Sequence, residues 1–388
     1  MLTLRNAPVV TLPAMSATTF VLQQAPRYKA AMDQASARRL MFGFAGTTAT
    51  PEALELARYA GGAILFARNV ESPAQVAALS RSLKEAAGAR PFLVAVDQEG
   101  GRVARLRPPH WSAVPTARAL GAAGPGAARR AGQLVGRELR ACGFDLDFAR
   151  VLDVDTNPAN PVIADRSFGA TPAAATAAAL AFAEGLHAEG VASCGKHFPG
   201  HGDTAQDSHK ALPRLPHSRE RLEAIELPPF AAAARAGLPS LMTAHVVFDA
   251  LDPGVPATMS RAALTGLLRG ELGYRGVVVS DDLEMKGIAD HFPFDDAVLA
   301  SARAGVDLFL VCHTEALQRR LVDVLAAARL DGRLDAVEAE GAERRLAELA
   351  ARWAQPAESI DPANATRVCG RGNAEAIAAG ADPTEWRT

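Results

Sequence analysis

The chain has 388 residues, 49% hydrophobic, 22% charged and only 5% aromatic, with a formal net charge of −2. That is long enough for one large barrel or two ordinary domains. The near-neutral balance argues against nucleic acid or an anionic membrane as the main partner, and the scarcity of aromatics argues against a stacking platform for single strands. The four cysteines, Cys142, Cys194, Cys312 and Cys369, are widely spaced without a CxxC pair. Such usage suggests neither a zinc ribbon nor a disulfide framework and suits a reducing cytosol. No apolar run approaches the roughly 18 residues of a membrane-spanning helix, so a cytoplasmic location is expected.

In chain order, residues 1–35 read as an N-terminal extension. Residues 9–22 are mildly apolar, but Pro13 and several hydroxyl residues break the continuous core that a secretory signal needs. Met32 offers an alternative start. The first short apolar run is 40–44 (LMFGF), followed by Thr47-Thr48 and a helix opened by Pro51. Further strands are predicted at 62–66 (GAILF), 91–96 (PFLVAV), 144–154, 190–194, 240–247, 276–280 (GVVVS) and 307–311 (DLFLV). Helical patterns fill the intervals at 73–87, 127–142, 171–189, 219–236, 261–272 and 294–304, and close the chain at 315–329 and 336–353. A C-terminal tail, 355–388, follows.

Eight continuous apolar strands alternating with helices, over roughly 320 residues, predict a single (β/α)8 TIM barrel spanning 36–354, an α/β fold. An open doubly wound sheet is the rival. It would usually bring an early glycine fingerprint, and Gly121-Ala122-Ala123-Gly124 does not follow a strand. Barrel active sites sit at the carboxyl ends of the strands. Those ends carry Asp97, Arg105, Asp153, Asp155, Arg166, Lys196, His197, His245, Asp281, Asp282 and His313, a concentration of polar groups that core or loop roles cover poorly.

The densest stretch runs from Lys196 to His209 (KHFPGHGDTAQDSH) and is read as a loop leaving strand five. Pro199, Gly200 and Gly202 exclude a helix interior. Three of the chain's nine histidines fall within these fourteen residues. A metal site from His197, His201 and His209 would need a helical face that Pro199 and the glycines forbid. An acid–base loop, with Asp207 beside His209, is the alternative. Asp281 terminates strand seven, where its carboxylate points into the barrel mouth, whereas Asp282 suits an N-cap or structural partner for the next helix. A strand-end carboxylate facing a His, with polar groups around both, suits displacement at a sugar carbon.

Four segments, 96–106 (VDQEGGRVARL), 164–169 (ADRSFG), 195–209 (GKHFPGHGDTAQDSH) and 280–285 (SDDLEM), resemble the family 3 glycoside hydrolases. They are most similar to the bacterial single-domain β-N-acetylglucosaminidases of peptidoglycan recycling. The resemblance covers about residues 36–350. It implies that Asp281 is the nucleophile of a covalent glycosyl-enzyme, that His209 is the general acid/base and that Asp207 orients it, a departure from the usual pair of carboxylates. It implies that Asp97, Arg105, Arg166, Lys196 and His197 bind the terminal N-acetylglucosamine. The implied substrate is a small carbohydrate or muropeptide, N-acetylglucosaminyl-1,6-anhydro-N-acetylmuramic acid with or without peptide, handled by a monomer with no cofactor, metal, nucleic acid or membrane. Phosphorolysis, which some relatives perform, and a related β-glycosidase activity are the same-class alternatives. A catalytically inactive sugar-binding barrel is the alternative of another class, and the intact Asp281, Asp207 and His209 speak against it.

Because residues 1–31 lack periodic apolar positions and precede the first strand, a chain starting at Met32 is expected to stay soluble and active. Loss of soluble protein on that truncation would show that the extension packs on the barrel.

Overall fold

The computed structural model describes residues 33–149, 151–207 and 211–371. The first 32 residues, the end of the tail and His209 therefore lie outside the described residues. Eight barrel strands follow one another along the chain: β1 (Leu40–Phe42), β2 (Gly62–Leu65), β3 (Leu93–Val96), β4 (Leu146–Asp147), β5 (Ala192–Phe198), β6 (Ser240–Thr243), β7 (Val277–Val279) and β8 (Phe309–Val311). Each is paired in parallel with its sequence neighbour from β1 to β7, and β1 also pairs with β8, Leu40 opposite Phe309. A parallel bridge between Val279 and Leu308 joins β7 to β8 and closes the ring. The single (β/α)8 barrel is the observed architecture.

The local sequence explains where the outer helices begin. Thr50-Pro51, Ser72-Pro73 and Thr171-Pro172 each place a capping hydroxyl before a proline that opens a helix, and the hydroxyls accept from the N–H groups of Ala53, Gln75 and Ala174. Two helices depart from the regular pattern. Leu222–Glu226 widens into a π-turn, with Leu227 N–H reaching back to Leu222 O, because Pro228 and Pro229 just beyond it have no N–H to give. Ala262–Glu271 is also of π type. Strand four is shorter than the 144–154 predicted, since only Leu146–Asp147 pairs regularly, whereas β5 is longer and carries Lys196 and His197 inside the strand rather than in the loop after it. Its register shifts between Gly195 and Phe198.

Inside the ring, Met41, Ile64, Leu93, Ala95, Leu146, Ala192, Cys194, Met242, Val277, Val279, Leu308 and Leu310 form one buried cluster. Leu346, Leu349 and Trp353 of the helix Ala336–Trp353 join the same cluster. That helix covers the amino end of the barrel, as the ion pairs there show. Asp307, just before β8, is held by Arg269 (2.7 Å) and by Arg345 of this helix (2.6 Å), and accepts from Val278 N–H. Asp145, just before β4, takes Lys84 Nζ at 2.5 Å, Val94 N–H at 2.9 Å and Gln355 N–H at 2.8 Å. Residues 355–371, which the sequence sets apart as a tail, return to the barrel through Gln355 at Asp145 and through the short helix Pro362–Val368, which packs on the helices Pro73–Ala87 and Pro125–Ala141. Both charges of the Lys84–Asp145 pair are disfavoured by burial and each is sustained by the other.

With one end of the barrel closed in this way, any large site belongs at the carboxyl end of the strands. The same closure sets a stability test. Lys84→Met leaves Asp145 buried without its cation, and is expected to destabilise the fold by roughly 3–5 kcal/mol in urea denaturation. Adding Asp145→Asn is expected to return much of that loss.

Candidate active site

A cavity of about 610 Å³ opens at the carboxyl end of the barrel, and Asp97, Arg105, Arg166, Lys196, His197, Asp207 and Asp281 all line it. Every predicted site residue within the described part of the chain is therefore in one place. His209, the predicted acid/base, falls outside it.

The floor is built from the segment after β3. A small antiparallel ribbon, Gln98–Gly100 with Val103–Ala104, turns through Gly100 (φ +99°) and Gly101 (φ +54°). A Cβ on Gly100 would meet Pro115 O at 2.4 Å, so the turn accepts only glycine there. Side chains alternate along this ribbon. Gln98 faces away, its Oε1 accepting from Arg105 and Leu106 N–H and its Nε2 donating to Leu106 O. Asp97 and Glu99 share the other side and face the cavity.

Between these carboxylates lies Lys196 of β5, 3% exposed, with Nζ 2.8 Å from Asp97 Oδ1 and 2.6 Å from Glu99 Oε1. Arg166 meets Glu99 with a two-pronged contact, Nε to Oε2 and Nη2 to Oε1, both at 2.8 Å. Arg105 Nη2 reaches Asp97 Oδ2 at 3.2 Å. Burial opposes charge on Glu99, yet Arg166 and Lys196 outweigh it and hold the carboxyl well below the usual carboxylate range. Burial likewise works against charge on Lys196, and Asp97 and Glu99 raise its pKa above the ordinary lysine value in spite of it. Arg166 is likewise held charged by Glu99 against its burial, so Glu99, Lys196 and Arg166 are fixed ions at any ordinary pH.

Glu99 is the residue that the sequence reading missed. It stands in the quoted VDQEGGRVARL segment two places after Asp97, and the two-residue period of an extended strand would have placed both on one face. Asp153, one of the strand-end groups of the sequence, has a definite structural part. Its buried carboxylate accepts from His197 N–H at 3.1 Å, lies 2.7 Å from His197 Nδ1, and accepts from His201 N–H at 2.7 Å. It thereby fixes the His197 ring and aligns β5 with the loop that follows.

That loop is tied down before it reaches Asp207. Asn160 Nδ2 donates to His201 O at 2.8 Å and Gly202 O at 2.9 Å. A Cβ on Gly202 would lie 1.8 Å from Val154 O. Asp203 is engaged by Thr156 Oγ1 (2.9 Å) and His217 Nε2 (2.6 Å), which leaves Asp207 as the loop aspartate that lines the cavity. His201 is buried against His197 and bonded to Thr204 Oγ1; burial, aided by His197, pushes its pKa down to about 4. Among the described residues no group of three or more His, Cys, Asp or Glu is arranged to hold a metal ion.

Opposite the floor, Asp281 follows β7 and its Oδ1 accepts from Asp282 N–H at 2.8 Å. Asp282 lines the cavity too and bonds Glu284 N–H, capping the local turn rather than the helix Lys286–Ala289, whose cap is Met285. Burial, reinforced by Glu284 and Asp281, pushes its pKa up to about 7. Phe66, Arg102, Glu284, Lys286 and His313 rim the opening, with the His313 ring stacked on Phe66 at 5.9 Å. A lattice of locked charges with carboxylate lone pairs left toward the cavity suits a neutral ligand rich in hydroxyls, and a strand-end carboxylate stands across from it.

The sequence pattern described as the glycosyl hydrolase family 3 N terminal domain matches residues 34–349. The chain belongs to glycosyl hydrolase family 3. It is 39% identical over 352 residues to a protein named beta-hexosaminidase A from Pseudoalteromonas piscicida, covering 82% of this chain and 58% of that one. A solved family 3 beta-N-acetylglucosaminidase from Paenibacillus sp. str. FPU-7 superposes with a TM-score of 0.81 at 43% identity, over 83% of this chain and 62% of that one. NagZ from Neisseria gonorrhoeae, solved in complex with N-trifluoroacetyl-D-glucosamine, superposes with a TM-score of 0.66 at 34% identity, over 80% of this chain and 98% of that one. The chain thus spans about three fifths of the first two relatives and nearly all of the third. Among the described residues no helix is long and apolar enough to cross a membrane.

The raised pKa of Asp282 gives a pH test. The folded protein retains a proton that the unfolded chain releases near pH 4, so this carboxyl lowers stability progressively as pH rises from about 4 to about 7. Asp282→Asn is expected to remove that fall, a gain over the parent of at most about 4 kcal/mol above pH 7 and none below pH 4. Denaturant midpoints of both proteins across pH 4–8 check it; parallel curves would show that Asp282 ionises normally.

Proposed function

We propose that this family 3 protein is a retaining exo-β-N-acetylglucosaminidase. The observation that carries the reading is the placement of Asp281 in the same cavity as the Asp97–Lys196–Glu99–Arg166 lattice. The lattice holds the terminal sugar through its hydroxyls and acetamido group, with Asp97, Arg105, Arg166, Lys196 and His197 as contacts. In the first step an Asp281 oxygen bonds to the anomeric carbon while the glycosidic oxygen departs with a proton from His209. In the second, His209 takes a proton from water, and that water oxygen displaces Asp281 from the sugar carbon. Each displacement inverts the carbon, so the net result is retention. Asp207, at the cavity wall two residues from His209, orients the imidazole.

A His in this role works near its ordinary pKa of about 6.5, so it exchanges protons near neutral pH without a large shift. The names of the similar proteins support the hexosaminidase reading, and the Neisseria complex with a glucosamine derivative supports the choice of sugar. The natural substrate we infer is N-acetylglucosaminyl-1,6-anhydro-N-acetylmuramic acid or its peptide-bearing form, during cytoplasmic recycling of peptidoglycan. A neutral imidazole repels an incoming anion less than a carboxylate would, so phosphate as acceptor is the second reading.

The test is phenol release from a graded series of aryl N-acetylglucosaminides, beside the p-nitrophenyl β-glucoside, with and without phosphate. His209→Ala should slow poor leaving groups by roughly 10²–10⁴ and acidic phenols much less. Asp281→Ala should abolish turnover across the series, since the covalent route is lost whatever the leaving group. Uniform damage by His209→Ala would remove His209 as the acid. Equal turnover of glucoside and N-acetylglucosaminide would refute the assigned sugar.

A further inference from the structure

Cys142 and Cys369 stand 227 positions apart in sequence, yet their Sγ atoms lie 3.5 Å apart in the fold, both side chains buried. Cys142 ends the helix Pro125–Ala141, and Cys369 ends the helix Pro362–Val368. We propose that these two thiols are a disulfide-forming site that staples the C-terminal segment to the barrel.

Three features of the segment support this. It returns to the barrel at defined points: Gln355 N–H caps buried Asp145, and Gly370 N–H donates to Glu138 Oε1 at 2.7 Å. The second anchor is one residue from Cys369, so the docked segment holds that thiol in place against Cys142. Glu138 is itself buried and is further held by Ser112, whose N–H and hydroxyl it accepts. The two sulfurs need approach by only about 1.5 Å to reach the roughly 2.05 Å of a disulfide. By contrast, Cys194 lies inside the barrel and Cys312 at the cavity, and neither is paired with another thiol among the described residues.

Cys369 is the entry point. It is 6% exposed against 0% for Cys142, and it follows the helix Pro362–Val368, outside the strands of the barrel. Its thiolate attacks one sulfur of a small disulfide and expels a thiolate. The Cys142 thiolate then attacks the Cys369 sulfur of the mixed disulfide and expels the second. The small disulfide is reduced to two thiols, which take up the two protons that the cysteines lost. The protein gains one intramolecular bond and no other atom changes oxidation state. The bond restricts a very long loop in the unfolded chain, the condition under which a cross-link stabilises most in the loop-entropy account.

The test uses the full chain. It is incubated with oxidised glutathione, quenched in acid, alkylated and digested without reductant. The expected product is one cross-linked peptide pair containing Cys142 and Cys369, with Cys194 and Cys312 alkylated and all four cysteines recovered after dithiothreitol. The oxidised protein should melt at least about 4 °C above the reduced one, a shift that Cys369→Ala, and separately Cys142→Ala, should lack. Alkylation of both thiols after prolonged oxidation, a cross-link through Cys194 or Cys312, or a Cys142–Cys369 bond without a rise in Tm would each overturn the proposal.

Discussion

The ammonium of Lys196 is the constraint around which the open end of this barrel is arranged. A lysine charge sealed inside protein is expensive unless it is paired and fully hydrogen-bonded. Here two carboxylates from the segment after β3 meet it, and one of them, Glu99, is shared with the fork of Arg166. Three separate stretches of chain must therefore hold their positions within a few tenths of an ångström. The glycine turn at Gly100-Gly101, the Asp153 clamp on His197 and the Asn160 bridge between loops all serve that end. A rigid lattice of this kind presents its remaining lone pairs and N–H groups in fixed directions, which is what recognition of a sugar by its hydroxyl pattern demands.

The two ends of the barrel use the same kinds of residue for opposite purposes. At the amino end, Asp145 and Asp307 are surrounded by Lys84, Arg269, Arg345 and backbone N–H groups, and a helix lies over them. At the carboxyl end, Asp97, Glu99 and Asp281 face a cavity. What separates a structural ion cluster from a site is thus the cover, supplied here by the helix Ala336–Trp353 and the segment after it. That segment belongs to the folded unit as much as the strands do.

Neighbouring carboxylates on the chain also diverge in character. Asp281 ends a strand at the mouth, whereas Asp282 is drawn into a drier position beside Glu284, where its proton is retained to about pH 7. Asp203 and Asp207 share a loop, yet one is engaged by Thr156 and His217 and the other reaches the cavity. In each pair the local sequence is nearly symmetric, and burial and partners assign the roles.

Much of this was legible in the sequence. Eight apolar runs of strand length alternating with helices point to a parallel sheet buried on both faces, and the lack of an early glycine fingerprint favours the closed barrel over the open sheet. The barrel in turn determines that Asp97, Arg166, Lys196, His197 and Asp281 share one rim, since strand ends converge there. What only the tertiary structure decided are the contacts between distant segments. Glu99 gained its place by closing the Lys196–Arg166 lattice, Lys196 and His197 proved to be strand rather than loop, and Pro228-Pro229 widened a helix. Cysteines that looked scattered along the chain include a pair in contact, Cys142 and Cys369. Spacing along a sequence carries the period of a strand or helix, but proximity across 227 residues exists only once the backbone has closed on itself.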